Sequence, residues 1–294
     1  MPALTFARLV SVLKRIRQNP AFLQDIFLYF KNDLLAILGK RSYDYRILFI
    51  AGLPKSGTTW VRAQLARVPG YNIRPVDDPE RVTERHDICE SVFTSLPKCG
   101  YSIVKLHTRY TPENFAIIKK HVPKFIVMIR DLRDMCVSRY FHIKHEKAHR
   151  HFDLYNRESE EEGLAHCIEV IEDEYIAWVR DWVQAYKHHP ETILLITYEE
   201  LNQSPFSTFK KICDFYRLPV SNDFIREMAE SKLRRAQNLG EQLQKSVGLR
   251  TTSTARKGVV GDWQNHFSDQ HKQKFKAIAG DLLIELGYVK DFNW

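Results

Sequence analysis

A chain of 294 residues with 44 Lys+Arg against 36 Asp+Glu carries a formal net charge of +8, and 44% of it is hydrophobic. With only 12 Gly and 12 Pro, this composition excludes collagen-like, low-complexity and disordered chains. The charge excess is small and scattered, which speaks against nucleic acid, whose binders gather Lys and Arg on one face, and suits an anionic small ligand.

Five cysteines form an odd set without a CxxC pair, so neither a disulfide framework nor a zinc ribbon is expected, and a reducing, cytoplasmic setting follows. No apolar run approaches the roughly 18–20 residues that span a bilayer, and no signal-peptide core precedes the first charges. Residues 1–45 read as a helical extension packed on the domain: Leu9, Val12, Leu13 and Ile16 recur at helical spacing, then Phe22, Ile26, Leu35 and Leu38 after Pro20. A second reading rests on Arg8, Lys14, Arg15 and Arg17, which arrive with no acid before Asp25 and allow peripheral membrane contact through residues 1–40.

From Arg46 onward strand and helix alternate. Strands are expected at Ile47–Leu53, Tyr101–His107, Lys124–Arg130 and Thr192–Tyr198, and helices at Thr58–Val68, Pro112–His121, Arg133–Lys144 and Leu164–Lys187. Further helices are expected at Pro205–Arg217, Asp223–Ala236 and Asp269–Leu286, with a polar loop at Ser246–Gly261. The alternation predicts an α/β fold: one domain, residues 46–294, with a mostly parallel central sheet flanked by helices. Two polar clusters interrupt the pattern. His142, His145, His149 and His151 invite a metal reading, but interleaved Lys144, Lys147 and Arg150 favour pocket lining or a solvated face, so no metal site is assigned. Glu158, Glu160, Glu161 and Glu162 read as a solvated turn, and His266 as structural.

Three stretches carry chemistry. Leu53-Pro54-Lys55-Ser56-Gly57-Thr58-Thr59-Trp60 joins a buried strand to a helix, a phosphate-binding strand-loop-helix of the P-loop-kinase-like kind. Backbone N–H groups at a helix start, a glycine, two Thr hydroxyls and Lys55 suit a phosphate; the G-x-x-x-x-G-K-[ST] spacing of nucleoside-triphosphate loops is absent. Arg130 closes a strand, with Ser138 in the helix beyond, where open sheets bind ligands; the competing reading is an Arg paired with Asp131 or Asp134. Arg256-Lys257-Gly258 lies ahead of Gly261-Asp262-Trp263 and Asn265-His266-Phe267 in a loop able to close over an anion.

Together these motifs resemble the cytosolic-type sulfotransferases in type, order and spacing across residues 46–267. The resemblance implies the donor 3′-phosphoadenosine 5′-phosphosulfate (PAPS), which leaves as adenosine 3′,5′-bisphosphate (PAP), and no metal requirement. It implies that Lys55, Ser56, Gly57, Thr58 and Thr59 hold the 5′-phosphosulfate. Arg130, Ser138, Arg256, Lys257 and Gly258 would hold the 3′-phosphate, and Trp60 and Tyr198 the adenine. Tyr101-Ser102-Ile103-Val104-Lys105-Leu106-His107 resembles the family segment ending Lys-Thr-His-Leu-Pro, which makes His107 the general base and Lys105 its assistant in an in-line displacement onto a hydroxyl acceptor. Leu106 and Thr108-Arg109 depart from that segment, and Glu80, Glu84 and Glu90 remain alternative bases. Gln264 and Ser268-Asp269 depart from the family's dimer motif, leaving the oligomeric state open, and no second aromatic for the adenine stands near Glu230–Gln237. The acceptor walls fall on residues 72–97, 142–157 and 237–255. The alternatives are a nucleotide or small-molecule kinase, which should show Walker spacing and a Mg-binding Asp, and a non-catalytic nucleotide-binding protein.

Overall fold

A computed structural model describes residues 21–39, 42–74, 86–231 and 257–294. The chain runs through α1 (Ala21–Ile37), β1 (Ile47–Gly52), α2 (Thr58–Leu65), β2 (Tyr71–Ile73), α3 (Ser91–Thr94), β3 (Tyr101–Leu106), α4 (Pro112–His121) and β4 (Phe125–Ile129). Next come α5 (Leu132–His145), α6 (Phe152–Arg157), α7 (Glu160–Val170), a π-helical turn (Ile171–Tyr175), α8 (Ile176–His188) and β5 (Ile193–Thr197). After these follow α9 (Tyr198–Gln203), α10 (Pro205–Phe215), α11 (Asn222–Glu230), a 3₁₀ turn (Asp262–Asn265) and α12 (Asp269–Glu285).

The sheet order is β2-β3-β1-β4-β5, every pairing parallel. Strand β1 sits at the centre, with Phe49 opposite Val104 of β3 on one side and Phe125 of β4 on the other. Because β1 and β4 are covered on both faces, they read as unbroken apolar runs. Alternate residues feed two cores. Phe49, Ala51, Phe125 and Val127 pack with α5, α7, α8 and α12, while Leu48, Ile50, Ile126 and Met128 pack with α2, α10 and α11. Trp182 is fully buried in the first core and donates its indole N–H to the Thr108 carbonyl at 2.9 Å, fixing the chain just past β3.

Side-chain caps set several boundaries. Thr111 accepts from the Asn114 N–H at 3.0 Å ahead of Pro112, Asp131 from the Arg133 N–H at 2.9 Å, and Thr197 from the Glu200 N–H at 3.0 Å. That last cap makes Tyr198 the first residue of α9 and not the end of a strand. The acids expected in a solvated turn instead open α7. Ser159 and Glu162 form a capping box, and Glu160 and Glu161 hold His266 at 2.6 Å and Ser268 at 2.6 Å.

Of the N-terminal extension, residues 1–20 and 40–41 lie outside the described residues. Helix α1 meets the sheet edge through Asn32, whose Oδ1 accepts from the Gly70 N–H at 3.1 Å, and through Asp33, which pairs with buried Arg74 at 2.5 Å. Phe27, Phe30, Leu34 and Ile37 are exposed on this helix and Leu38 just past its end. No helix of the described residues is long and apolar enough to cross a membrane.

Candidate active site

The carboxyl ends of β1, β3, β4 and β5 open into one cavity of about 270 Å³, where β3 and β4 diverge on either side of β1. This is the switch point at which open parallel sheets bind ligands. Pro54, Lys55, Gly57, Thr58, Thr59 and Trp60 form its β1 wall. Lys55 (φ 69°) and Gly57 (φ 84°) both adopt left-handed backbone, turning the chain sharply before α2. At Gly57 nothing larger fits: a Cβ would stand 2.8 Å from the Tyr198 ring. Ser56 is the member that does not face the cavity, because its hydroxyl donates back to the Leu53 carbonyl at 2.6 Å. Trp60 reaches the cavity while packing edge-on against Phe209, at 6.0 Å between centroids.

Arg130 is buried across the middle of the site. Its Nη1 donates to the Lys55 carbonyl and its Nη2 to the Val259 carbonyl, each at 3.1 Å, and its guanidinium lies 4.2 Å from the centre of the Tyr198 ring. The loop after β1, the first turn of α9 and the loop before the 3₁₀ turn are thus tied to one side chain. Asp134, at 3.5 Å from Arg130, accepts from the Gly261 N–H at 2.7 Å and the Trp263 N–H at 3.0 Å. Burial pushes the Asp134 carboxyl above the usual carboxylate range, against the pull of Arg130 and those two donors. Arg133 leaves the cavity and stacks between Trp263 and Trp294, at 4.1 and 4.4 Å from their ring centres. Lys257 and Gly258 line the opposite rim; Lys257 pairs with Asp262 at 3.1 Å, and Asn202 donates to the Gly258 carbonyl at 2.9 Å. Arg256 lies outside the described residues.

His107 and Lys105 enter from β3. Two residues apart, their side chains share a face, and Lys105 Nζ lies 3.2 Å from His107 Nε2. His107 Nδ1 lies 2.5 Å from the Gly52 carbonyl, which can only accept, so Nδ1 carries the hydrogen and Nε2 the lone pair. Glu90, on the other side of the core, is committed to Lys120 at 2.7 Å and to His121. Glu80 and Glu84 are outside the described residues.

The remaining wall comes from α5, the segment after it and the π turn: Ser138, Arg139, His142, His149 and Tyr175. Of the histidine cluster, His142 and His149 thus line the cavity, with rings 6.4 Å apart. Among the described residues no group of His, Cys, Asp or Glu side chains is arranged to hold a metal ion. Arg139 and Tyr175 escape a sequence reading. The periodicity of residues 164–187 predicts one helix, whereas the π turn widens it at Ile171–Tyr175 and carries Tyr175 to the cavity. For Arg139 the available signal is its place beside Ser138.

Residues 46–287 match the Sulfotransferase domain family. This chain belongs to that family. Over 253 residues it is 28% identical to sulfotransferase 6B1 of Danio rerio, covering 84% of this chain and 81% of the relative. It is 25% identical over 279 residues to cytosolic sulfotransferase 3 of Arabidopsis thaliana, covering 89% and 85%. The structure of a mouse sulfotransferase, SULT7A1, complexed with PAP superposes with a TM-score of 0.60 at 19% identity over 87% of this chain and 92% of that one, which establishes a common fold. For this sulfotransferase the kinase reading is set aside. The family assignment supplies the reaction class, sulfuryl transfer.

Proposed function

We propose that this sulfotransferase transfers the sulfuryl group of PAPS to a hydroxyl acceptor by in-line displacement, with His107 as general base. The observation that carries this reading is the imidazole itself. With its Nδ1 hydrogen committed to Gly52, His107 presents the Nε2 lone pair beside Lys105 in the cavity that Lys55 also lines.

The residues present fit the donor. Lys55, Thr58 and Thr59, at the start of α2, suit the 5′-phosphosulfate, and Ser56 contributes by shaping the turn. Arg130, Ser138, Lys257 and Gly258 suit the 3′-phosphate, while Trp60 and Tyr198 flank the place of the base. One feature supports the fit: the buried Nε of Arg130 has no hydrogen-bond partner. The mouse structure superposed above holds PAP.

Bound there, the donor supplies an electrophilic sulfur and an oxygen able to leave as a phosphate. His107 Nε2 takes the acceptor hydroxyl proton, Lys55 faces the negative charge that develops on the leaving side, and Lys105 assists. The same proposal divides the chain into a helical extension, residues 1–45, and a sulfotransferase domain, residues 46–294. The family match begins at residue 46. A cytoplasmic site of action agrees with the absence of any CxxC pair and with the Arabidopsis relative's description as cytosolic.

The test separates chemistry from binding. His107→Ala is expected to lower transfer from PAPS by about 10²–10⁴-fold, the usual contribution of a positioned base, while the thermal shift produced by PAP stays at the wild-type value. Near-wild-type turnover by His107→Ala would move the role of base to another residue. A thermal shift given by ATP with Mg but not by PAP would overturn the donor assignment.

A further inference from the structure

The donor accounts for only part of the cavity's charge. Once Lys55, Arg130 and Lys257 are assigned to two phosphates, and Lys105 to His107, Arg139 remains. Among the described residues no Asp or Glu lines the cavity. Arg139 Nε is buried without a hydrogen-bond partner, and among the described residues no carboxylate pairs with the guanidinium. The Arg139 side chain is partly exposed, and its buried Nε goes without an acceptor that anything in this wall supplies.

The acids nearby are engaged elsewhere. Glu158 pairs with His166 at 2.9 Å, Glu146 accepts from the Ala148 N–H at 3.4 Å, and Glu174 hydrogen-bonds Tyr175. His149, on the same wall, is driven down to about 4, first by burial and then by the Arg139 charge, so its ring is neutral at physiological pH. The fixed positive charge of this wall is therefore that of Arg139. Around it the neutral His149 ring, the Tyr175 hydroxyl and the His142 imidazole offer hydrogen-bonding groups.

We infer that Arg139 anchors an anionic group of the acceptor, so that the compound sulfated here bears both a hydroxyl and a carboxylate or phosphate. A guanidinium fork matches either oxyanion with two parallel N–H donors. It holds the acceptor by its acidic end on the α5 wall, leaving the hydroxyl to His107 across the cavity. The inference rests on the donor reading above, because it assigns to the acceptor the cation that the donor does not use.

The experiment uses the full chain saturated with PAP, which occupies the two phosphate sites and keeps probe anions out of them. Calorimetric titration compares 4-hydroxybenzoate with 4-hydroxybenzamide, glucuronate with glucuronamide, and glucose 6-phosphate with glucose. At least one acid is expected to bind tenfold or more tightly than its neutral partner, with the successful pair distinguishing a carboxylate from a phosphate. Arg139→Gln should bring that pair within about twofold of each other, and Arg139→Lys should retain part of the preference. PAP affinity, measured on each variant, reports that the fold and the donor site persist. Equal binding in every pair, or a preference that survives in Arg139→Gln, overturns the inference; the latter is the behaviour of a cation that only balances the buried core. Failure of PAP to bind the wild-type chain strikes instead at the donor reading.

Discussion

The Asp134 carboxylate accepts from the backbone N–H of Gly261 at 2.7 Å, joining the first turn of α5 to a loop from the far end of the chain. The same carboxylate takes the Trp263 N–H and lies 3.5 Å from Arg130, so one buried side chain sets the position of a cavity-lining arginine and of the rim opposite it. Asp134→Ala leaves two backbone donors and a buried guanidinium without their acceptor, at an expected cost of about 3–5 kcal/mol. Urea unfolding should show the lower midpoint, and PAP titration a Kd at least about tenfold weaker; a variant as stable as wild type contradicts this role.

Gly57 has a left-handed φ of 84° and no room for a Cβ beside Tyr198. Gly57→Ala therefore meets backbone strain and a collision together, for a loss of about 2 kcal/mol or more. Because the strain falls on the loop that is proposed to receive the 5′-phosphosulfate, PAP affinity should drop by more than the tenfold that about 1.4 kcal/mol represents. Calorimetry with PAP checks this. Unchanged affinity would show that the loop does not approach the ligand.

Asn202 reaches the Gly258 carbonyl at 2.9 Å and the Tyr198 hydroxyl at 3.4 Å. As a positioning residue it should affect binding more than folding. Asn202→Ala is expected to weaken PAP about three- to tenfold, the value of one net hydrogen bond, with a melting temperature close to that of wild type. Asn202→Gln, which keeps the amide, should recover part of the affinity. A large fall in melting temperature with intact affinity would reverse the assignment.

His149 sits at about 4, below its ordinary 6.5, because burial and Arg139 disfavour its charged form. As pH falls below about 6.5 the unfolded chain gains a proton at this residue that the folded chain refuses until about 4. The stability due to the neutral ring is complete above that window and is lost through it. At a half-buried, solvent-screened position the loss is about 1 kcal/mol. Urea midpoints at pH 7 and pH 4.5 should fall less for His149→Gln than for wild type; an equal fall in both proteins contradicts the assignment.

The sheet and the cavity-lining loop after β1 are legible because their signals are local. The run Ile47–Gly52 is apolar throughout, as a strand buried on both faces must be, and Thr111-Pro112 marks the start of α4 by cap and fixed φ. Strand β2 was not legible: Tyr71–Ile73 is too short for any period to show, and its place at the sheet edge depends on β3. Arg139 was hidden for a different reason. Every residue from Leu132 to Ser138 is buried, so α5 has no polar stripe from which to infer which side faces a cavity. Tyr175 depends on a π turn that widens the helix without any Pro or Gly to announce it. The Glu160–Glu162 run misleads because acids in a first helical turn look like a solvated charge cluster until the Ser159 cap is recognised.

Parallel pairing throughout the sheet bears on how the molecule assembles. Phe49 finds Val104 and Phe125, and Phe125 finds Ile193, only after long crossovers have closed, so little of the sheet can be stabilised by local contacts. The cavity gathers Lys55, His107, Arg130, Tyr198 and Gly258 from strand ends and loops separated by those crossovers. Chains halted before the last crossover docks lack a complete ligand site, whatever helices they have formed. Acquisition of nucleotide affinity during refolding should therefore trail the recovery of helical circular dichroism, making the ligand a kinetic marker of the final docking step.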